Sequence, residues 1–191
     1  MIMNTLTSET LDCSLLSLGC VFGVAPHTDL TLTALRGLNI SQRRLRPEVR
    51  AQLLSITSAR TDITFTPDAW RFGYRDEKTV SHCRVVTVAA RASSEHPDTV
   101  GAFSSLKPED APVLSPIPQD SLLVDSREAL AKVRAISKLK GILSAQYRLL
   151  QPGNGPEPVW TLSFYGKADE TLASFCVGAK SGATRLAPVA M

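Results

Sequence analysis

Near Gly141 the hydrophobic spacing changes from helical to alternating, and that single switch limits what the C-terminal part of the chain can become. Before it, Ala129, Leu130, Val133 and Ile136 recur on one side of a helix predicted over residues 126–140. Arg127, Lys132, Arg134 and Lys138 fall largely outside that stripe. Asp125 or Ser126 suits the N-cap, Glu128 is placed to close a capping box, and Gly141 suits the C-terminal stop. After it, residues 142–150, 159–165 and 171–179 alternate as strands, separated by the loop QPGNGPEP (151–158) and a short polar turn. A helix with one apolar stripe needs a sheet face to cover it, so this order predicts an α+β unit with a three-strand antiparallel meander. Val133 and Ile136 are both expected to be buried.

The same order recurs loosely upstream. Pro47 opens a predicted helix with Val49, Leu53 and Ile56 as its stripe. Ile63 and Phe65 mark a short strand, Trp70, Phe72 and Tyr74 alternate in a second, and residues 80–92 form a longer third. Residues 44–92 therefore read as a second helix-plus-sheet unit, its sheet either continuous with the first or packed on it. The aromatic rows Trp70, Phe72, Tyr74 and Trp160, Phe164 read as core and cross-strand packing. Between the halves, Pro97, Pro108, Pro112, Pro116 and Pro118 disfavour regular structure over residues 93–120, which reads as a linker or crossing loop. The organisation expected is thus an N-terminal helix plus a first unit over 1–92, the Pro-rich segment, and a second unit over 121–191.

The segment 15–25 (LLSLGCVFGVA) has the length of a signal-peptide core and is too short to span a bilayer. No Lys or Arg precedes Arg36, Glu9 and Asp12 make the leading stretch acidic, and Leu11, Leu15, Leu18 and Phe22 follow a Ser8 cap at helical spacing. It reads as a structural helix, which favours the cytoplasm. The sequence predicts no membrane span.

The chemistry-bearing residues are dispersed. Cys13, Cys20, Cys83 and Cys176 form no CxxC, and His27, His82 and His96 have no partner at short spacing, so the sequence predicts no metal site and no cofactor. His82 and Cys83 are adjacent, and neighbours in a strand point to opposite faces, which denies them a base–nucleophile pairing. Ser104 and Lys107 fit S-x-x-K, and Lys180, Ser181 and Gly182 resemble K-T-G. The first lies in the Pro-rich segment and the second reads as a strand-end turn, so both are coincidences of spacing. Gly153, Asn154 and Gly155 form a loop tip with no helix behind it to cradle a phosphate. No catalytic, cofactor-binding or metal-binding residue is assigned. The net charge of +3 names no partner, and Arg43, Arg44, Arg46 and Arg50 read as a wet helix flank rather than a nucleic-acid surface.

The helix SREALAKVRAI, the strands ILSAQYRLL and VWTLSFYG, and the closing CVGAKSGATRL together resemble the PepSY and PepSY-like domains, small helix-plus-three-strand units. Residues 177–184 (VGAKSGAT) occupy the place of the family's V-D-A-x-T-G-x-V ending, with Gly178 for the acidic residue and Ser181 for Thr. The resemblance covers about residues 122–187, and residues 44–92 read as a divergent copy. It implies an extracytoplasmic binding or inhibitory module. Two function classes follow. The first is a non-catalytic, regulatory protein-binding module using a sheet face or edge strand against a protein or peptide, with a homo-oligomer left open. The second is a small enzyme or small-ligand binder with its site in the cleft between the halves. The balance is against an enzyme.

Overall fold

The structure, a computed structural model, describes residues 31–79, 82–90, 98–104, 114–153 and 155–187. The predicted helix at 15–25 lies outside them, as do Cys13, Cys20, His27, His96 and Lys107. The described helices are α1 (Ala34–Gln42), the single turn α2 (Pro47–Arg50) and α3 (Ser126–Ile136). The strands are β1 (Leu53–Ser58), β2 (Ala69–Arg75), β3 (Cys83–Ala90), β4 (Asp98–Ser104), β5 (Ser144–Leu150), β6 (Val159–Tyr165), β7 (Thr171–Gly178) and β8 (Thr184–Leu186).

All eight strands belong to one antiparallel sheet in the order β4-β3-β2-β1-β5-β6-β7-β8. Each half supplies a meander, and the two meet where β1 pairs with β5 at Ser55–Leu150, Ile56–Leu149 and Thr57–Arg148. The chain is therefore mixed α and β, with both parts of its sheet hydrogen-bonded into one. α1 crosses β2, β3 and β4, and α3 crosses β6 and β7. Both helices lie on the same face, because Ser126 at the start of α3 accepts a hydrogen bond from the Ala34 N–H at the start of α1. The Asp125 carboxylate that caps α3 also accepts from the Leu35 N–H.

The aromatic rows form the core, as their alternation predicts. Trp70, Phe72, Tyr74, Trp160, Leu162 and Phe164 are fully buried beneath the helices, joined by Tyr147, Leu149, Val86 and Val88. The Trp70 indole donates to the Leu32 carbonyl just before α1, and the Trp160 indole donates to the Val124 carbonyl just before α3. The two indoles meet edge to face at 6.2 Å. The Tyr74 hydroxyl shares a 2.6 Å hydrogen bond with Ser41, and burial pushes its pKa up to about 12, against the smaller opposing effect of that bond.

Five expectations need correction. The helix predicted over 126–140 ends at Ile136, and Ile136 is 60% exposed. The segment SKLKG beyond it holds one apolar residue among lysines, so no stripe remains to bury, and Gly141 (φ +72°) shapes a later turn. Glu128 pairs with Lys132 instead of closing a capping box. Leu53 and Ile56 belong to β1, not to the helix opened by Pro47, which lasts one turn. A register irregularity between Leu53 and Ser55 breaks the two-residue alternation and counterfeits helical spacing. Ile63 and Phe65 lie in a loop, Ile63 exposed and Phe65 at φ +60°. Finally, β4 lies inside the segment assigned as a linker and β8 follows the last predicted strand, so each meander has four strands where three were expected. The rest of that segment's described part is pinned. Ile117 N–H donates to the Leu53 carbonyl and Ser115 bridges to Gln151, and just beyond the segment the Leu123 and Val124 N–H groups donate to the Ala179 carbonyl.

Gly37 faces the core from α1, and a Cβ there would stand 2.9 Å from Cζ of the buried Phe72. Gly37→Ala gains ~1 kcal/mol of helix propensity and loses ~1–3 kcal/mol to overpacking, so a net loss of about 1 kcal/mol is expected. A variant melting above the parent would show that the helix can lift off Phe72.

Candidate functional site

Three features bear on function: a cleft on the helix side, a turn at the end of β7, and the sheet face opposite the helices. The cleft encloses about 280 Å³ between the two halves, with Thr31, Thr33 and Thr64 on one side and Ser126, Arg127 and Arg134 on the other. Its floor is tied down, since the Tyr147 hydroxyl donates to the Phe65 carbonyl at 2.7 Å and the Arg134 guanidinium lies 5.4 Å over the Phe65 ring. Burial pushes the Tyr147 pKa strongly up, with the Arg134 charge partly opposing it. The lining holds hydroxyls and guanidiniums, with no histidine and no carboxylate among the described residues.

The turn after β7 encloses an anion that the chain supplies itself. Glu157 accepts from the Lys180 and Ser181 N–H groups at 2.8 Å and from the Ser181 hydroxyl at 2.6 Å. The Ser181 hydroxyl, the Ser181 N–H and the Lys180 N–H and charge hold its carboxyl below the ordinary value against some burial. Gly178 leaves room for it, since a Cβ there would stand 2.5 Å from both Glu157 Oε1 and Ser181 Oγ and one of them would have to move. Lys180, Ser181 and Gly182 therefore cap a strand end, as the sequence suggests, and Ser181 is committed to Glu157.

The other candidates are separated. Cys83 is buried at the start of β3 and Cys176 is half-buried on β7, far apart in strand order. His82 is exposed at φ +51°. No group of three or more potential metal ligands occurs among the described residues. Of the arginine flank, Arg46 bridges Asp76 and Glu48, and Arg50 donates to the Leu45 carbonyl, while Arg43 and Arg44 are exposed. No described helix is long and apolar enough to cross a membrane.

The face of the sheet opposite α1 and α3 carries no described helix. Eight strands at ~4.8 Å spacing and ~3.3 Å per residue make it roughly 34 Å by 23 Å at its widest, close to the ~800 Å² per partner of a standard interface. Short hydroxylated side chains, Ser55, Thr57, Thr87, Thr161 and Ser163, share it with the longer Arg71, Arg75, Gln146, Arg148, Tyr165 and Arg185, while Cys83, Val85 and Ser174 on the same face are buried. Gly73 sits directly under the Ser55 hydroxyl, which a Cβ would meet at 2.6 Å. At one end the Arg60 guanidinium stacks 3.7 Å above the Tyr165 ring while pairing with Asp169. Leu143, just before β5, and Leu172 on β7, both exposed, flank that end of β6. Sequence reasoning named a sheet face or an edge strand as the candidate surface and missed the extent of the sheet, because β4 and β8 were not read as strands.

No protein-family model matches the chain, and neither the curated proteins nor the solved structures contain a match to it.

Proposed function

We propose that this chain is a non-catalytic binding module that receives a partner protein on the helix-free face of its sheet. The observation that carries the reading is that face itself: eight strands wide, rigidly backed by a close-packed aromatic core, with half-buried serines and threonines set between exposed arginines. The dispersal of cysteines, His82 and carboxylates weighs against catalysis in the described part. We further read the chain as two copies of one PepSY-like unit. Supporting this, each half runs helix then meander, and each donates an indole N–H from the second residue of its second strand to the carbonyl two residues before its helix. A regulatory or inhibitory role accords with that resemblance.

The test is partner isolation followed by reconstitution. Crosslinked partners are identified by mass spectrometry, purified, and titrated against Thr161→Trp, which fills the centre of the face, and Ala135→Trp, which adds the same bulk on the exposed side of α3. Thr161→Trp is expected to weaken binding by tenfold or more, about 1.4 kcal/mol, with Ala135→Trp unchanged. The opposite pattern would move the site to the helix side. A second reading, a small-ligand site in the cleft, is favoured by its hydroxyl and guanidinium lining, and is checked by native mass spectrometry for a co-purifying small molecule.

A further inference from the structure

The strand registers place one straight row across the helix-free face: Thr87, Arg71, Thr57, Arg148, Thr161, Cys176 and Arg185, one residue from each of seven consecutive strands. Arg71, Arg148 and Arg185 are exposed, and the residues between them are half-buried, so each guanidinium stands above short neighbours. Arg71 and Arg148 are two strands apart, about 10 Å, and Arg148 and Arg185 three strands apart, about 14 Å. The chain holds 18 Asp and Glu residues, yet β1, β2, β3, β5, β6, β7 and β8 contain none. Elsewhere the acids neutralise local arginines, as Asp76 does for Arg46 and Arg84 and Asp169 does for Arg60. The row is therefore a segregated positive stripe whose members repel one another by only ~0.4 kcal/mol per 10 Å pair in water, so holding it costs the fold little.

We propose that the partner is a protein that lays an acidic segment across this row, its carboxylates accepting from Arg71, Arg148 and Arg185 with the intervening threonine hydroxyls completing the hydrogen bonding. This rests on the sheet-face reading above and names the chemistry of what binds there. Guanidiniums are suited to forked pairing with carboxylates, and short threonines leave room for a chain to run perpendicular to the strands. A single-stranded nucleic acid fits less well, because it would need exposed aromatic rings for base stacking, and the face's Tyr165 ring is already covered by Arg60. A duplex contact draws on some six to ten cationic side chains, more than this stripe provides.

The experiment is fluorescence anisotropy of the full chain with labelled poly-L-glutamate at low and moderate salt, against Arg71→Ala/Arg148→Ala and the charge-matched control Arg43→Ala/Arg44→Ala. All four arginines are exposed, and circular dichroism melts verify that each variant folds. The expected result is a salt-sensitive complex weakened roughly tenfold by Arg71→Ala/Arg148→Ala and at most twofold by the control. Equal weakening by both pairs, or no binding of poly-L-glutamate by the parent, would overturn the proposal. Duplex DNA binding more tightly than poly-L-glutamate, and lost with Arg71 and Arg148, would also overturn it by assigning the stripe to nucleic acid. If the partner identified above is displaced by Thr161→Trp but binds Arg71→Ala/Arg148→Ala normally, the sheet-face reading stands and the acidic-segment proposal fails.

Discussion

Thermal unfolding of Trp160→Ala is expected to show a loss of about 3–5 kcal/mol, which for a chain of this length is a drop of roughly 8–15 °C in Tm. Trp160 is fully buried in β6 under α3, and its ring meets Trp70 at 6.2 Å. Truncation removes the largest side chain at the centre of the continuous core, and a sheet locked by pairing on both sides of β6 cannot collapse to fill the space. It also strands the Val124 carbonyl, which receives the indole N–H at 2.9 Å. Trp160→Phe separates the two contributions. It keeps most of the ring volume, loses the hydrogen bond, and should cost about 1–3 kcal/mol. Trp70→Ala should behave like Trp160→Ala, since Trp70 makes the equivalent bond to Leu32. A Trp160→Ala protein melting within a degree or two of the parent would refute the core assignment and return Trp160 to the candidates for ligand stacking.

Removing the Asp76 carboxylate is the second large effect. Its side chain is 1% exposed, receives Arg84 Nε at 2.8 Å and Arg46 at 3.1 Å, and accepts from the Lys78 N–H. Burial alone would raise its pKa. The Lys78 N–H, the Arg84 hydrogen bond and the charges of Arg84 and Arg46 outweigh burial and hold the carboxyl below its ordinary value. Asp76→Asn should cost about 2–3 kcal/mol near neutral pH, below the full value of a buried pair because both arginines are about one-third exposed to water. The pH dependence has a defined sign. A carboxylate whose pKa is lower when folded contributes its stabilisation above the unfolded value, about pH 4, and loses it as pH falls through the lower folded value. The gap in urea midpoint between parent and Asp76→Asn should therefore be constant from neutral pH down to about pH 5 and narrow below about pH 4. Glu157 is present in both proteins and cancels in the difference. A gap as wide at pH 3 as at pH 7 would show that the carboxylate's charge is not what stabilises this corner.

The site on the helix-free face was legible only in fragments. Alternation marked Trp70, Phe72, Tyr74, Trp160 and Phe164 as inward-facing, and that fixes Arg71 as outward-facing by parity alone. That Arg71, Arg148 and Arg185 share one row depends on registers between strands far apart in sequence, and no local pattern encodes those. The misplaced elements have local causes of the same kind. The irregularity at Leu53 and Ser55 imitates a helix, and β4 is embedded among prolines whose density argues for coil. α1 was missed although Thr33 caps it by accepting from the Arg36 N–H, because Gly37 and Asn39 weaken its propensity.

By itself the sequence determined the α+β class, the identity of α3, the strands β2, β5, β6 and β7, and the burial of both tryptophans. All of these follow from side-chain periodicity within one segment, where the physics is local: 3.6 residues per turn or two per pleat decides which groups meet water. Only the tertiary structure decided that β1 pairs with β5 to merge two meanders into one sheet, that both helices share a face, and that the opposite face carries no described helix. Pairing of strands some ninety residues apart is chosen by the burial of the whole aromatic core beneath α1 and α3, a global free energy to which no single segment commits.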